Sequence, residues 1–345
     1  MNVQVINPLT DNRWDDLVAR HPRASVFHQR GWLEALSRTY GYEPMALTSA
    51  LPGQALQDGV VFCRVASWLT GTRLVSLPFA DHCEPLLNDA GDYQGCADWL
   101  KAECDHRKWK YVEMRPLSPL PVAGAVLTRS QSYCLHELDT TPSLEYLFRH
   151  LHKDSIQRRI RRADRERFSY EVGVSQSLLE DFYSLVRITR KRQVLPPQPL
   201  SWFTNLVAAM GDGLQIRLLR KQEIPIAGIL TLRHGSTMVY KYGGSDERFH
   251  HFGVMPLLFW RLIEESKALG LDCVDFGRSD LDRNSLIAFK DKFGTSRRLL
   301  LYYRYDHQGQ SKPGWATNSA MRHLCSHLPN SVLATGGRLL YRHMG

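Results

Sequence analysis

The sequence predicts an α+β fold in two domains, each with a mixed central sheet flanked by helices. A length of 345 residues exceeds one average domain and suits two of ordinary size. Apolar residues alternate along the chain between helical spacing and strand-like runs. In the second half, three strand patterns precede a helix and a further strand, an order that predicts a parallel strand pair around the helix.

The first half reads as alternating helices and strands. A helix is predicted to end at Gly41, because Trp32, Leu33 and Leu36 follow helical spacing before that glycine. The elements expected after it are strands over 59–67 and 73–79, a helix over 93–109 and a strand over 110–116.

The second half begins with a basic segment, residues 143–167, which we predict to be one helix. Its expected apolar face is formed by Leu144, Leu147, Phe148 and Leu151. The later elements are helices over 177–192, 202–213, 254–270 and 284–294, three strands within 214–245, and strands over 271–277 and 297–305. We therefore expect domains at 1–140 and 141–310, followed by capping helices over 311–345.

Composition excludes several classes of protein. The chain is 43% hydrophobic and 10% aromatic, which indicates packed cores, and it contains no apolar run near the roughly 20 residues of a membrane span. Its N-terminus lacks the pattern of a secretory signal. The seven cysteines are scattered without a Cys-x-x-Cys pair, so we expect reduced thiols, no metal site and a cytoplasmic location.

The formal charge of +9 is unevenly distributed. Residues 149–167 hold eight Lys or Arg against three Asp or Glu, and residues 187–192 add four more cations. Such a stripe favours phosphate-bearing partners, namely nucleotides, RNA or an anionic membrane surface at the periphery of the inner membrane. A solvated helix face with local ion pairs is the alternative, and DNA is not an expected partner.

The connection before the helix at Val254 has the features of an anion site. Gly253 permits a tight turn, and free amides converge with the helix dipole at a helix N-terminus. Arg248 and His251 lie in the same connection. An ordinary loop between a strand and a helix is the alternative.

Residues 275–277 spell Asp-Phe-Gly, which binds magnesium in protein kinases. The glycine-rich loop, strand lysine and His-Arg-Asp loop of a kinase are absent from the sequence, so this function is excluded. Asp275 and Arg278 instead end a strand, where ligands of parallel sheets collect. An ion pair of Asp275 with Arg278 or Lys290 is equally open.

Residues 181–305 carry a family resemblance. The helix and Pro-rich loop of 182–203, the strands of 224–245, and the order Asp-Phe-Gly-Arg-Ser, Phe289-Lys290 and Phe293-Gly294 resemble the FemAB-like branch of the Gcn5-related N-acetyltransferase superfamily. This branch includes peptidoglycan bridge aminoacyltransferases and the BioF2-like acetyltransferase domain. The segment 25–36 resembles the first domain of that family.

The resemblance implies tandem acetyltransferase-like domains and transfer of an acyl or aminoacyl group to an amine. The implied donor is acyl-CoA or aminoacyl-tRNA, without a tightly bound cofactor, and the implied acceptor is a cell-envelope, peptidoglycan or exopolysaccharide precursor. Staphylococcal-type members carry a long helical arm, where this chain has only the basic segment 143–167. That departure leaves the choice between CoA and tRNA open.

Lys290 matches the Phe-Lys lysine of the family, for which the resemblance implies stabilisation of the tetrahedral intermediate or of the phosphate or ester region of the donor. A cation suits the charge that develops on the carbonyl oxygen. One of Tyr240 and Tyr242 is expected to face the cleft and to relay a proton or hydrogen-bond the acyl group, while the other packs. Packing in the core is the alternative for each of them. The expected catalytic residues are Lys290, Asp275 and Tyr242. The expected donor-binding residues are Arg248, His251, Gly253, Val254, Arg278 and Phe289, and the expected acceptor-binding residues are Asp81, His82, Arg190, Arg192 and Tyr240.

Interpretations without a catalytic role are also open. Leu286, Phe289 and Phe293 form the expected buried face of the last helix, and Lys290, beside that face, could be a solvent-facing lysine. A protein of the same fold without catalytic activity could bind RNA or another polyanion, or serve as an envelope-assembly scaffold. The sequence identifies neither the general base nor the oligomeric state.

Overall fold

The computed structural model describes residues 3–121, 126–306 and 341–343. The chain forms two compact units. Within the described residues, the first unit holds 3–121, 126–133, 300–306 and 341–343, and the second holds 134–299. The boundaries expected at residues 140 and 310 remain predictions, and the expected capping helices over 311–345 lie outside the described residues apart from 341–343.

The first unit is a sheet with strand order β1-β2-β3-β4-β5-β12 and helices beside it. Its elements are β1 (Gln4–Ile6), α1 (Arg13–Arg20), α2 (Arg30–Tyr40), β2 (Glu43–Thr48), β3 (Val60–Val65), β4 (Arg73–Val75), α3 (Ala90–His106), β5 (Tyr111–Met114) and β12 (Ser296–Asp306), which begins in the second unit. Strands β2, β3 and β4 form an antiparallel meander, and β5 lies parallel to β4 after the α3 crossover.

The second unit repeats this plan, with strand order β6-β11-β10-β9-β8-β7. Its elements are β6 (Thr128–Asp139, starting in the first unit), α4 (Leu144–His150), α5 (Arg158–Arg165), β7 (Ser169–Gly173), α6 (Gln176–Arg192), α7 (Leu200–Met210), β8 (Leu214–Lys221), β9 (Ile224–His234), β10 (Thr237–Ser245), α8 (Val254–Ala268), β11 (Cys273–Asp280) and α9 (Asn284–Asp291). Strands β8, β9 and β10 form the meander, and β11 lies parallel to β10 after α8. The expected tandem of mixed sheets flanked by helices is confirmed.

Helix α8 forms the centre of the second core. It buries residues around most of its circumference, which an apolar helix can do only inside a domain. Phe259 stacks on Phe276 of β11 with ring centroids 5.0 Å apart, and Phe293 contacts both rings. This packing fixes α8 and the segment after α9 against the same strand.

The basic segment is not one helix, which corrects our expectation. Helix α4 stops at Leu151, whose ψ of 143° is extended, and a π-helical turn over Lys153–Gln157 precedes α5. Leu147 and Leu151 are buried as expected, whereas Leu144 is 37% exposed. The break lets α5 place Ile160 and Ala163 against the α8 core.

The expected buried face of α9 also needs correction. Leu286 is 41% exposed, whereas Ile287 and Lys290 are buried. The helix is therefore rotated so that the lysine points inward.

No helix in the described part of the chain is long and apolar enough to cross a membrane.

Candidate active site

A fork between β10 and β11 is the central feature of the second unit. In the described part of the chain, the two strands pair only from Thr237 and Cys273 to Val239 and Asp275, while β10 continues to Ser245 and β11 to Asp280. The pairing of β10 with β9 shifts register between Tyr240 and Tyr242, which marks a β-bulge. A bulge bends one strand of a pair, so it accounts for the opening.

The bulge sends the two tyrosines to different surroundings. Tyr240 packs on the α8 core, 4.8 Å from Phe259 between ring centroids. Its hydroxyl lies over Gly243, where a Cβ would be only 2.5 Å from the oxygen. A side chain at residue 243 would therefore collide with Tyr240.

Tyr242 lies among residues of α7 and the loop before it. Its hydroxyl oxygen accepts hydrogen bonds from Trp202 Nε1 at 3.0 Å and Gln198 Nε2 at 3.3 Å, and its ring contacts Phe203 at 5.2 Å between centroids. No pattern in the sequence indicated the contacts of Trp202 and Gln198 with Tyr242, because they depend on the packing of α7.

Lys290 is 3% exposed and lies at the base of the fork. Its ammonium donates to the carbonyl oxygens of Gly277, at 2.7 Å, and Arg278, at 3.3 Å. The solvent-facing alternative for Lys290 is wrong. A buried ammonium requires hydrogen-bond acceptors, and these carbonyls supply them on the strand that borders the opening.

Gly277 has φ of +73°, a left-handed conformation that favours glycine. Asp275 Oδ1 accepts from the Gly277 amide at 2.6 Å. Asp275 thus caps the amide of the same glycine whose carbonyl binds Lys290.

His136 of β6 lies behind Lys290. It is fully buried, and its Nε2 is 3.3 Å from the carboxylate of Asp291, which also binds Arg297. Burial lowers the pKa of His136 below its ordinary value, and the positive charge of Lys290 lowers it further. Nothing in the sequence pattern of β6 indicated this neighbour of Lys290.

Helix α8 begins beside the fork. Gly253 has φ of +87°, and a Cβ there would be 2.7 Å from the backbone oxygen of Arg159 in α5. Val254 is fully buried, while Arg248 and His251 are exposed in the preceding turn. Of the six expected donor residues, two therefore shape the helix start and two face solvent.

A groove of about 740 Å³ runs between α6, the loop that follows it and the turn before α8. Its lining residues are Ser184, Arg187, Ile188, Lys191, Arg192, Leu195, Pro197, Asp246, Glu247 and Arg248. The expected acceptor residue Arg192 and the expected donor residue Arg248 thus share one surface, whereas Arg190 is absent from the lining.

Charge in the groove is only partly balanced. Asp246 pairs with Arg248 at 2.6 Å, and Glu247 is 4.0 Å from Arg192. The side chains of Arg187 and Lys191 have no ion-pair or hydrogen-bond partner among the described residues. Their i, i+4 spacing places both on one face of α6, and that spacing was a signal we did not use.

The remaining expected residues lie at different depths. Arg278 and Phe289 are half-buried at the ends of β11 and α9. In the first unit, Asp81 and His82 are each 7% exposed. The Tyr302 hydroxyl donates to the Asp81 carbonyl, and the His82 ring contacts Phe27.

Ser279, which we did not select, is 2% exposed, and its hydroxyl has no hydrogen-bond partner among the described residues.

The corresponding strands of the first unit, β4 and β5, are bridged beyond their pairing. The Ser76 amide donates to the Glu113 carbonyl at 2.8 Å, and the Arg115 amide donates to the Ser76 hydroxyl at 2.7 Å. The Arg115 guanidinium then donates to the Leu77 carbonyl at 2.9 Å. In the second unit, the described ladder of β10 and β11 ends at Val239 and Asp275.

Comparison with known proteins agrees with this architecture. Residues 151–290 match the family described as acetyltransferase (GNAT) domain. No curated protein matches the chain. The structure of FemX is similar over 90% of this chain and 100% of its own, with 15% identity and a TM-score of 0.70.

Two other solved structures share the fold. A tandem GNAT protein from the clavulanic acid biosynthesis pathway covers 91% of this chain and 100% of its own, at 11% identity and a TM-score of 0.55. The C-terminal domain of a putative lysylphosphatidylglycerol synthetase from Agrobacterium fabrum covers 94% of this chain and 97% of its own, at 14% identity and a TM-score of 0.55. At these identities the likeness concerns the fold.

Proposed function

We propose that this chain, an acyltransferase of the GNAT superfamily, joins an acyl or aminoacyl group to an amine of a cell-envelope, peptidoglycan or exopolysaccharide precursor. The observation that carries the proposal is the open fork between β10 and β11 with the buried Lys290 cation at its base. The donor is acyl-CoA or aminoacyl-tRNA, both of which are cytoplasmic, so we place the reaction there.

The chemistry follows from the fork. The acceptor amine attacks the donor carbonyl carbon, and negative charge develops on the carbonyl oxygen. The C–S bond of a thioester or the C–O bond of a tRNA ester then breaks, and the leaving group takes up the proton that the amine gives up. The Lys290 ammonium stabilises the oxyanion, because a fixed cation in a buried site interacts strongly with charge that forms there.

Other residues hold the substrates in this proposal. The start of α8 and the exposed Arg248 and His251 seat the donor phosphates, while Arg192 with Arg187 and Lys191 attracts an anionic acceptor to the groove. Tyr242 relays the amine proton.

The test combines donor binding with turnover. Acetyl-CoA, longer acyl-CoAs and charged tRNAs are screened by thermal shift, and the donor that raises Tm is incubated with pooled amines for mass spectrometry. We expect Lys290→Met to retain the donor-induced shift and lose about 10²–10³ in turnover, the usual effect of removing one oxyanion donor.

Lys292→Met, two residues later and half-buried, is the matched control and should react like wild type. The proposal is wrong if none of these donors raises Tm, or if Lys290→Met turns over as fast as the control.

A second candidate function rests on α5. Arg158, Arg159 and Arg165 are exposed and have no side-chain partner among the residues described. Such a surface suits a polyanion-binding protein without catalysis. That function predicts RNA binding that weakens steeply with salt and survives Lys290→Met.

A further inference from the structure

The β3–β4 connection of the first unit presents a tryptophan to solvent. Residues 66–72, the tryptophan loop, contain Trp68 and Leu69, which are 88% and 54% exposed. Among the residues that the structure describes, the Trp68 ring contacts the ring of His343 edge to face, at 5.7 Å between centroids. Large apolar side chains that are both adjacent and this exposed indicate an interaction surface.

The loop is internally ordered. The Ser67 hydroxyl oxygen accepts from the Thr70 amide at 2.9 Å, and the Gly71 amide donates to the Ser67 carbonyl at 2.9 Å. Gly71 has φ of +83°, which closes the turn. The two apolar side chains are therefore held outward by a built turn.

The fold itself does not require this loop. The equivalent connection of the second unit, between β9 and β10, needs only Gly235 and Ser236. The first unit makes the same strand-to-strand turn with seven residues, 66–72. The additional length carries the exposed Trp68 and Leu69, so a role other than chain reversal accounts for it.

The α3–β5 turn, which carries Lys108 and Lys110, lies beside the loop. Lys110 donates from its amide to the Thr72 carbonyl at 2.8 Å and from Nζ to the Thr70 carbonyl at 3.2 Å, which fixes the α3–β5 turn beside the loop. Lys108 in that turn is exposed and has no side-chain partner among the described residues. The neighbouring Glu103 is already paired with Arg107.

We propose that the tryptophan loop and the lysines beside it form an anchor for an anionic lipid bilayer. Tryptophan favours the membrane–water interface, where its apolar ring enters the boundary and its N–H remains hydrated. Lysines near such a surface gain attraction from acidic headgroups. The loop thus combines the two contributions to peripheral membrane binding.

The size of the patch favours a lipid over a protein. Trp68 and Leu69 together offer roughly 300–400 Å² of apolar surface, whereas a stable protein interface buries about 800 Å² on each partner. Binding to a bilayer requires only that the tip of the tryptophan loop enters the membrane interface, while the flanking lysines remain at the lipid headgroups. A second copy of the chain would have to cover these cations with matching acids.

The experiment measures cosedimentation of the full chain with vesicles of phosphatidylcholine alone and of phosphatidylcholine with phosphatidylglycerol. We expect binding to the anionic vesicles, weakened at least about tenfold by Trp68→Ser, since one large apolar side chain no longer leaves water. Lys108→Gln should weaken it by about fivefold. Brominated lipids should quench tryptophan fluorescence in wild type more than in Trp68→Ser.

Val172→Ser is the matched control, because Val172 is 43% exposed on the edge strand β7 of the other unit. It should bind vesicles like wild type. Equal binding by wild type and Trp68→Ser, equal weakening by the control, or no vesicle binding by wild type overturns the proposal. A change of oligomeric state in Trp68→Ser without a change in vesicle binding overturns it in favour of a second copy. None of these readouts uses acyl transfer, so the anchor and the proposed function fail independently.

Discussion

The carboxylate of Asp275 controls the backbone that binds Lys290. Its Oδ1 accepts from the Gly277 amide at 2.6 Å, and the Gly277 carbonyl accepts from Lys290 at 2.7 Å. Two consecutive bonds therefore connect a strand residue to the cation proposed to stabilise the oxyanion. The capping bond helps to hold Gly277 in its left-handed conformation, in which its carbonyl accepts from Lys290.

Asp275→Ala should lower the free energy of unfolding by about 1.5–3 kcal/mol, the range for losing a hydrogen bond to a charged group. Asp275→Asn keeps a carbonyl oxygen at that position and should lose less. Urea denaturation measures both effects. Asp272→Ala removes an exposed carboxylate just before β11 and serves as the control. Equal stability of Asp275→Ala and Asp272→Ala would contradict the capping role.

At this scale the sequence predicted which residues to examine better than what they contact. Lys290 and Asp275 came from the family resemblance, and both lie at the fork. The two carbonyls around Lys290 were not predictable, because they depend on the φ of Gly277. His136 was not predictable either, since it comes from β6, far away in the sequence.

Strand β10 is the element that sets the shape of the site. Its consecutive glycines are approached from opposite sides, with the Tyr240 hydroxyl over Gly243 and the backbone of α6 over Gly244. A Cβ on Gly244 would be 2.4 Å from the Leu185 carbonyl carbon and 2.5 Å from the Val186 nitrogen. Helix α6, which carries the groove cations, can lie this close only over a glycine.

Gly244→Ala should therefore push α6 away from β10 and lower the free energy of unfolding by about 1–3 kcal/mol or more. Gly173→Ala in β7 is the comparison, because its Cβ would be an ordinary 3.7 Å from Leu178. That variant should be neutral or slightly stabilising. Equal midpoints for the two variants in urea would show that α6 does not rest on the strand as described.

Helices and strands with one dominant apolar periodicity were predictable from the sequence, and those with a mixed pattern were not. The meander of β8, β9 and β10 and the helix α8 follow long apolar patterns. Our prediction of one helix over the basic segment was wrong, because positive charge and helix propensity are continuous through it. The break at Leu151 is imposed by packing on α8. Strand β7 has no apolar periodicity from which to predict it, because its residues are half-buried or exposed.

Across the whole molecule, one topology occurs twice with different outcomes. The β4–β5 pair is extended by bonds of Ser76 and Arg115, whereas the described β10–β11 ladder ends at Val239 and Asp275. The repeat itself is not visible in the sequence, because the two units share strand order rather than residues. This contrast supports placing the donor in the second unit.

Histidines in both units make stability depend on pH. Burial lowers the pKa of His21, His136, His234 and His250 below the ordinary value of 6.5. Just below pH 6.5 the unfolded chain binds protons at these sites more readily than the folded chain. The free energy of unfolding therefore decreases as the pH is lowered. It should be highest above about pH 7 and decline towards pH 5.

His136 gives the sharpest case, because Lys290 and Arg297 oppose its protonation while the Asp291 carboxylate favours it. The Asp291 pKa is lowered from 3.8, mainly by its hydrogen bond with Arg297, so its own titration lies below this window. We expect His136→Gln to show a smaller drop in urea midpoint between pH 7.0 and 5.5 than wild type. His106→Gln, an exposed site at the end of α3, should keep the wild-type drop. An unchanged drop in His136→Gln would mean that a protonated imidazolium is accommodated beside Lys290, contrary to the charges that surround it.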